Sequence, residues 1–437
     1  MRYLFVLLIS AASPILAQEN LPDPITDDAY RDVSEGAARL GQLLFYDPIL
    51  SGNKEVACAT CHHPAFGTGD GVSLSLGDGG MGLGPNRTVN PLNVPEQRIP
   101  RNAQALWNLG AHEFTVLFHD GRIEVAPDLP GGLRTPLDAD MVSGFETMLS
   151  AQSMFPVLSP DEMAGHYAEN DISAAVRKGD LTGPGGAWDQ IAARVADIPL
   201  YTSQFIAAYP HISTSHDITF ADVSNALASF IEWEWRSDTS PFDAYLRGDA
   251  DLTQDALSGL DLFYGDAGCA VCHSGPFQTD HQFHATGEVQ IGPGKARRFE
   301  SHARDPGRFG VTGHPDDLYA FRTPSLRNVT MTAPYGHAGA FSDLATYLAA
   351  HSNGAGVLTY DLANATLPDF GADDLRIMSD LAERDPILRA RVAMPDLNDA
   401  DIKALTAFLA TLTDPIAKTG RLGIPVAVPS GLSVPLP

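Results

Sequence analysis

Cys58-Ala59-Thr60-Cys61-His62 and Cys269-Ala270-Val271-Cys272-His273 hold every cysteine of this 437-residue chain. In each block two thiols stand three positions apart and an imidazole follows at once. This is the spacing with which a chain attaches a c-type haem: two thioethers fix the porphyrin, and the adjacent histidine supplies a proximal nitrogen to iron. Two complete copies leave no spare thiol. Four cysteines in an exported chain also admit two disulfides, and paired cysteines admit zinc, but neither needs a histidine directly after both second cysteines. The cofactors read from these residues are two covalently bound haem c, one on Cys58, Cys61 and His62 and one on Cys269, Cys272 and His273.

The flanking sequence repeats with the blocks. Gly41-Gln42-Leu43-Leu44-Phe45-Tyr46 precedes the first and Gly259-Leu260-Asp261-Leu262-Phe263-Tyr264 the second, with the block beginning 13 residues after Phe45 and 6 after Phe263. A small residue and an aromatic four apart share one helical face, where glycine lets another helix approach closely. The pattern predicts two copies of one helical haem module. Thr253 is placed to cap the helix of the second copy, with Leu252 and Leu257 as a hydrophobic staple. Near the end, Asn398 caps a segment whose Ile402, Leu405, Phe408, Leu409 and Leu412 form an apolar stripe. Val223, Ala226, Leu227, Phe230 and Ile231 form another stripe, which ends before Ser237-Asp-Thr-Ser-Pro241.

These signals give a mainly α fold: two cytochrome c-like helical haem domains with long loops. Residues 18–238 are read as the N-terminal haem domain, 239–415 as the C-terminal one and 416–437 as an extended Pro-rich tail. Gly67 to Arg87 is rich in glycine and lacks a period, so it reads as a long irregular loop of the functional or mobile kind.

Composition fits a folded chain, with 44% hydrophobic and 19% charged residues, and the length suggests about two to three domains. A formal charge of −26 argues against nucleic acid or an anionic lipid surface as the main partner, and would attract a basic protein. Met1 to Ala17 carries one Arg, no acid and an apolar run too short for a membrane span of about 20 residues, so it reads as a secretory signal peptide. The expectation is an exported protein without a membrane span, located in the periplasm of a Gram-negative cell.

With the two haem blocks, the leader and the run Phe321-Arg-Thr-Pro-Ser-Leu-Arg-Asn-Val-Thr-Met-Thr-Ala-Pro-Tyr335-Gly-His-Ala-Gly339, the sequence resembles the bacterial dihaem cytochrome c peroxidases. That family includes MauG, which oxidises tryptophans of a partner protein. The likeness runs from about Leu40 to about Leu412. It implies that the N-terminal haem, with His62 as proximal ligand, is the peroxide site, and that the C-terminal haem, with His273, relays electrons.

The family's distal motif is matched by Gln152, Pro156, Glu162 and Met163, with Ser153 in place of the usual Ala. A shielded carboxyl such as Glu162 suits taking a proton from H2O2 and returning it to the departing oxygen, and Gln152 suits orienting peroxide or water. Read without the family, Ser159-Pro-Asp-Glu162 is also a helix N-terminus with a solvated acid. Some relatives close the reactive iron with a histidine on the loop after the first haem; here only His63 lies between His62 and His112, so an open site is expected.

For the sixth ligand of the second iron, the family's position nineteen residues after Thr332 falls on His351, with Tyr360 as the rival. Met or Tyr is usual there, and losing Met lowers the potential. Between the haems the family's bridging Trp is replaced by His119, in Phe118-His119-Asp120-Gly121-Arg122. Trp107 is a substitute bridge or a core aromatic, and Asp120 and Arg122 are structural or bond haem propionates. Relatives hold Ca²⁺ between the domains, which maps onto Asn102, Thr332 and Pro334, where hard oxygen donors suit the ion.

The resemblance implies three alternative functions. The first is a periplasmic peroxidase fed by a small electron donor, a cytochrome c or cupredoxin. The second is MauG-like oxidation of residues on a partner protein through high-valent haem iron. The third is a plain dihaem electron carrier. A homodimer is left open.

Overall fold

Gly41 lies midway along the helix Glu35–Tyr46, and a Cβ there would stand 1.8 Å from the Ala226 carbonyl oxygen and 2.8 Å from Phe230 Cβ on the helix Phe220–Glu234. Gly259, in the helix Gln254–Tyr264, repeats the contact: a Cβ would stand 1.9 Å from the Ala404 carbonyl oxygen and 2.8 Å from Phe408 Cβ on the helix Asp399–Ala410. One turn further on, Phe45 meets Phe230 at a ring separation of 5.2 Å and Phe263 meets Phe408 at 5.1 Å. The same four-residue grammar, small residue then aromatic, thus builds the same crossed helix pair twice in the computed structural model. That model describes residues 21–437 apart from 167, 296–300, 354–358, 372 and 373; the leader read at Met1–Ala17 lies outside the described residues.

The helices begin where their caps say. Thr219 accepts from the Asp222 amide while the Asp222 carboxylate accepts the Thr219 amide at 2.8 Å. Thr253 accepts from the Ala256 amide at 3.3 Å, and Asn398 from the amides of Ala400 and Asp401. Each satisfies donors that the first helical turn leaves open.

Around the first pair an apolar core gathers Leu40, Leu44, Leu106, Ile191, Phe205 and Trp235, among others. Around the second it gathers Phe242, Leu260, Tyr335, Leu405 and Leu412. The helices Met148–Ser153, Asp171–Lys178, Ala187–Ala196 and Pro199–Ala208 thicken the first core. Strand is confined, among the described residues, to three small antiparallel sheets. One of them pairs Phe283–His284 with Phe321–Arg322, in the register Phe283 opposite Arg322. No described helix is long and apolar enough to cross a membrane.

The Gly67–Arg87 stretch is irregular, yet it is not a surface loop. Val72, Leu74, Leu76 and Asp78 are fully buried. Arg87 holds it from within, donating to the carbonyls of Leu76, Gly77 and Gly82, while Asn102 donates to Val72 and Ser73. A buried loop needs such partners because its backbone has no ladder to satisfy it. The C-terminal tail is extended, and it is pinned to the first helix pair. Glu234 accepts the amides of Arg421, Leu422 and Gly423, Gln42 donates to the carbonyls of Leu422 and Gly423, and Val428 is buried in the first core.

Alanine at Gly41 or Gly259 gains about 1 kcal/mol of helix propensity but forces backbone apart at a packed crossing, which costs more. We expect a net loss of about 2 kcal/mol or more in urea unfolding of the haem-loaded protein for either variant. Gly371→Ala, where a Cβ meets nothing within 4 Å, should stay within about 0.5 kcal/mol of wild type.

Candidate active site: two cysteine–histidine centres

Both haem blocks fold as one tight turn. The His62 amide donates to the Cys58 carbonyl and the His273 amide to the Cys269 carbonyl, each at 2.9 Å. Each imidazole then spends Nδ1 on a backbone carbonyl: His62 on Thr68 at 3.0 Å and His273 on Gln278 at 3.1 Å. Fixing one ring nitrogen on an acceptor leaves Nε2 as the metal-facing atom and sets the ring plane, as second-shell partners do for metal-bound histidines. Burial holds both rings neutral, His62 below its ordinary range and His273 down to about 4. All four thiols are free, and burial pushes Cys58 and Cys61 up to about 12. The donor set fits covalent haem in both centres.

Beside the first block lies a cavity of about 1380 Å³, its open mouth included, lined by Cys58, Cys61 and His62 and by the side chains of Phe45, Leu106, Leu117 and Ile231. The same cavity receives Gln152, Pro156 and Glu162, which lie about a hundred residues beyond the block in sequence. Gln152 rides on a helix capped by Thr147, which accepts from the Ser150 amide. Glu162 stands on the single turn Pro160–Ala164, whose Met163 and Ala164 are buried. The solvated-acid reading does not describe it. Burial raises its carboxyl above the ordinary range, against the pull of Lys295 and Arg122.

His119 also lines the cavity. Its Nε2 lies 3.1 Å from the Asn102 carbonyl, and burial together with the Arg101 charge lowers it to about 3, so the ring is neutral. Its own carbonyl accepts the Arg322 amide at 2.8 Å, and two residues beyond Arg322 the Pro324 carbonyl meets His273. A short run of backbone and hydrogen bonds therefore joins His119, which lines the cavity of the first centre, to His273 of the second. Trp107 donates from Nε1 to the Gly67 carbonyl at 3.1 Å and belongs to the first core. His63 is buried away from the cavity, accepting from the Ala65 amide and packed on Tyr46 and Phe66.

At the second centre, His351 sits in the helix Leu344–Asn353 and is close enough to His273 for its charge to lower that ring. Its Nδ1 is buried with no hydrogen-bond partner and lies 4.0 Å from Glu288 Oε1. The Tyr360 hydroxyl, by contrast, is already donated to the Ala340 carbonyl at 2.6 Å. Asn102 touches Val72, Ser73, His119 and His337. The Thr332 hydroxyl donates to Val329, and no hydrogen bond among the described residues joins Asn102 to Thr332 or Pro334.

The polar end of the cavity holds residues the sequence did not single out: Arg101, Lys295 and Arg322 join Arg122 there. Arg101 makes two bonds to Asp305 and one of 2.7 Å to Asp120, and Asp120, despite burial, is held far below the carboxylate range by Arg101 and Arg122. Burial alone lowers Arg322 to about 10 and leads the fall of Lys295 to about 8. Four cations against Asp120 and Asp305 leave a surplus suited to the two carboxylates of a porphyrin. Arg322 stands inside the run Phe321–Gly339 and Arg101 directly before Asn102, whereas Lys295 arrives from a loop with no motif.

The di-haem cytochrome c peroxidase family matches residues 35–251, which include the first block, the first helix pair and the cavity lining apart from Lys295 and Arg322. The chain belongs to the dihaem cytochrome c peroxidase and MauG family. Among its relatives, the methylamine utilization protein MauG of Methylorubrum extorquens is 29% identical over 328 residues, 75% of this chain and 71% of that protein. The cytochrome c551 peroxidase of Pseudomonas aeruginosa is 27% identical over 360 residues, covering 79% and 84%. A crystal structure of a MauG-like protein associated with microbial copper homeostasis superposes with a TM-score of 0.58 at 27% identity, covering 91% of this chain and 94% of that one. Like the peroxidases of its family, this protein is a haem-dependent oxidoreductase, and the family implies two haem c groups.

If the blocks act independently, replacing Cys58 and Cys61 by Ser should halve the covalent haem per chain in a pyridine haemochrome assay, as should replacing Cys269 and Cys272. Loss of both haems from either pair would show instead that one attachment depends on the other.

Proposed function

We propose that this protein is a periplasmic peroxidase that reduces H2O2 beside His62, with electrons delivered from a small cytochrome c or cupredoxin at the His273 centre. The observation that carries this reading is that Gln152, Pro156 and Glu162 line the cavity that also holds Cys58, Cys61 and His62. The reaction consumes one peroxide, two electrons and two protons and yields two waters. Haem iron held through His62 would supply the redox chemistry that splits the O–O bond.

The chain supplies the rest. Glu162, as carboxylate, accepts the proton of the arriving peroxide and hands it to the departing oxygen, which leaves as water. Burial raises that carboxyl above the ordinary range, which makes it a stronger proton acceptor than an exposed carboxylate. The Gln152 amide is suited to orient the second oxygen. Electrons would cross by way of His119, whose neutral ring is a poorer hole carrier than an indole but whose backbone bond to Arg322 supports a direct route. The second iron would be held between His273 and His351; the spent hydroxyl of Tyr360 favours His351. Because Asn102 uses its amide nitrogen on Val72 and Ser73, its oxygen is left as a hard donor, and we assign Ca²⁺ to that oxygen with Thr332 and Pro334.

A second reading, oxidation of residues on a partner protein, is favoured by one observation: His63, the one histidine between His62 and His112, bonds and packs away from the cavity. Steady peroxide turnover with reduced cytochrome c supports the first reading, and negligible donor oxidation supports the second. The leader at Met1–Ala17 is the reason for the periplasmic location, and the charge of −26 suits a basic partner.

Glu162→Gln should lower kcat/KM for peroxide by about 10²–10⁴-fold. Since the carboxylate form is the one that accepts the proton, wild-type kcat/KM should fall as pH drops through a value above the ordinary carboxylate range, and the variant should lose that limb. Low-temperature EPR of the diferric protein should show one high-spin and one low-spin haem; two low-spin signals would contradict an open peroxide site.

A further inference from the structure

Glu288 lies on the stretch between the strand Phe283–His284 and the buried Ile291, and it gathers the side chains around His351. Its Oε1 accepts the Tyr347 hydroxyl at 2.6 Å. Its Oε2 accepts the His337 amide at 3.0 Å and meets His337 Nδ1 at 3.2 Å. The Tyr347 ring stacks on His351 at 5.4 Å and 25°, fixing the imidazole plane from one side. Arg391 donates to the carbonyls of His351 and Ser352 and so anchors the end of the helix that carries them. Within this frame His351 Nδ1 is buried, bonded to nothing, and 4.0 Å from Glu288 Oε1.

An imidazole that binds metal through Nε2 carries its proton on Nδ1 and needs an acceptor there. His62 and His273 use neutral backbone carbonyls for this. At His351 the group at hand is a carboxylate. We propose that Glu288 is the positioning residue of the second centre, accepting Nδ1–H of His351, aiming Nε2 at iron and making His351 a stronger donor than either proximal histidine. Both oxygens of Glu288 already accept from donors, Oε1 from the Tyr347 hydroxyl and Oε2 from the His337 amide, an arrangement suited to a carboxylate anion. A carboxylate behind one axial ligand stabilises ferric over ferrous iron, which would set the second centre at a lower potential than two histidines backed by carbonyls.

This inference rests on His351 being the sixth ligand, and the test separates the two. In the haem-loaded protein, His351→Ala should convert the second haem from low to high spin by EPR; failure to do so sinks the ligand assignment and the proposal with it. Given that conversion, Glu288→Gln should keep the low-spin signal, shift its g values and move the midpoint potential of the second haem to more positive values. Unchanged g values and midpoint would overturn the role of Glu288 while leaving His351 in place. Tyr347→Phe provides an arm that leaves the carboxylate intact and serves if Glu288→Gln does not fold. Freed of the Tyr347 hydroxyl, Oε1 has, among the described residues, His351 left to accept from, so the midpoint should move to more negative values; no movement, or movement the other way, counts against the proposal.

Discussion

The fold turns on two places where helix backbones touch. At Gly41 and Gly259 no side chain separates the carbonyl of the crossing helix from the Cα, and an added Cβ would overlap Ala226 or Ala404 oxygen by well over an ångström. Crossing that close fixes where the following aromatic lands, and the paired Phe rings then close each core. The next segment of each half inherits that frame. The chain leaves the helix at Tyr46 or Tyr264 and forms the haem turn on the edge of the core just made. The positions of His62 and His273 are thus set by a contact that contains no metal chemistry.

Arginine pairs then bring the halves together. Arg101 reaches from the first half to Asp305 and back to Asp120, Arg98 pairs with Asp374, and Arg308 bonds the carbonyls of Asp120 and Gly121 and the Glu124 carboxylate. Charges this buried persist only with partners, and the surplus cations face the cavity rather than solvent. The same residues that join the halves therefore give the cavity its polar end. His119 lies at that seam, lining the cavity and accepting the Arg322 amide on its carbonyl.

How far this was legible depended on distance along the chain. The haem turns were plain because attachment chemistry demands contiguous residues, and the helix caps at Thr253 and Asn398 were plain because a cap acts within one turn. Gly41 and Gly259 stood out only because they recur with the blocks. The burial of Gly67–Arg87 was not visible: its composition is that of a surface loop, and what buries it is Arg87 and Asn102 bonding from inside. Glu288 and Lys295 were missed for the same reason, since each meets its neighbours only where other segments are brought to it. Gln152 and Glu162 were named from family spacing, and the cavity gathers them with His62, although local pattern alone placed Glu162 in solvent.

The pinned tail has a consequence for the order in which the molecule is completed. Gln42 bonds the carbonyl of Leu422 across 380 residues of chain, and Glu234 waits for the amides of Arg421 to Gly423. Those segments are synthesised after both haem modules. Until they arrive, a buried carboxylate at the end of the long Phe220–Glu234 helix lacks these donors and the groove that receives Val428 stays open. The first haem module, though made before the second, is therefore sealed only after the second has been made, and removing residues 421–428 would be felt at the N-terminal core rather than where the chain was cut.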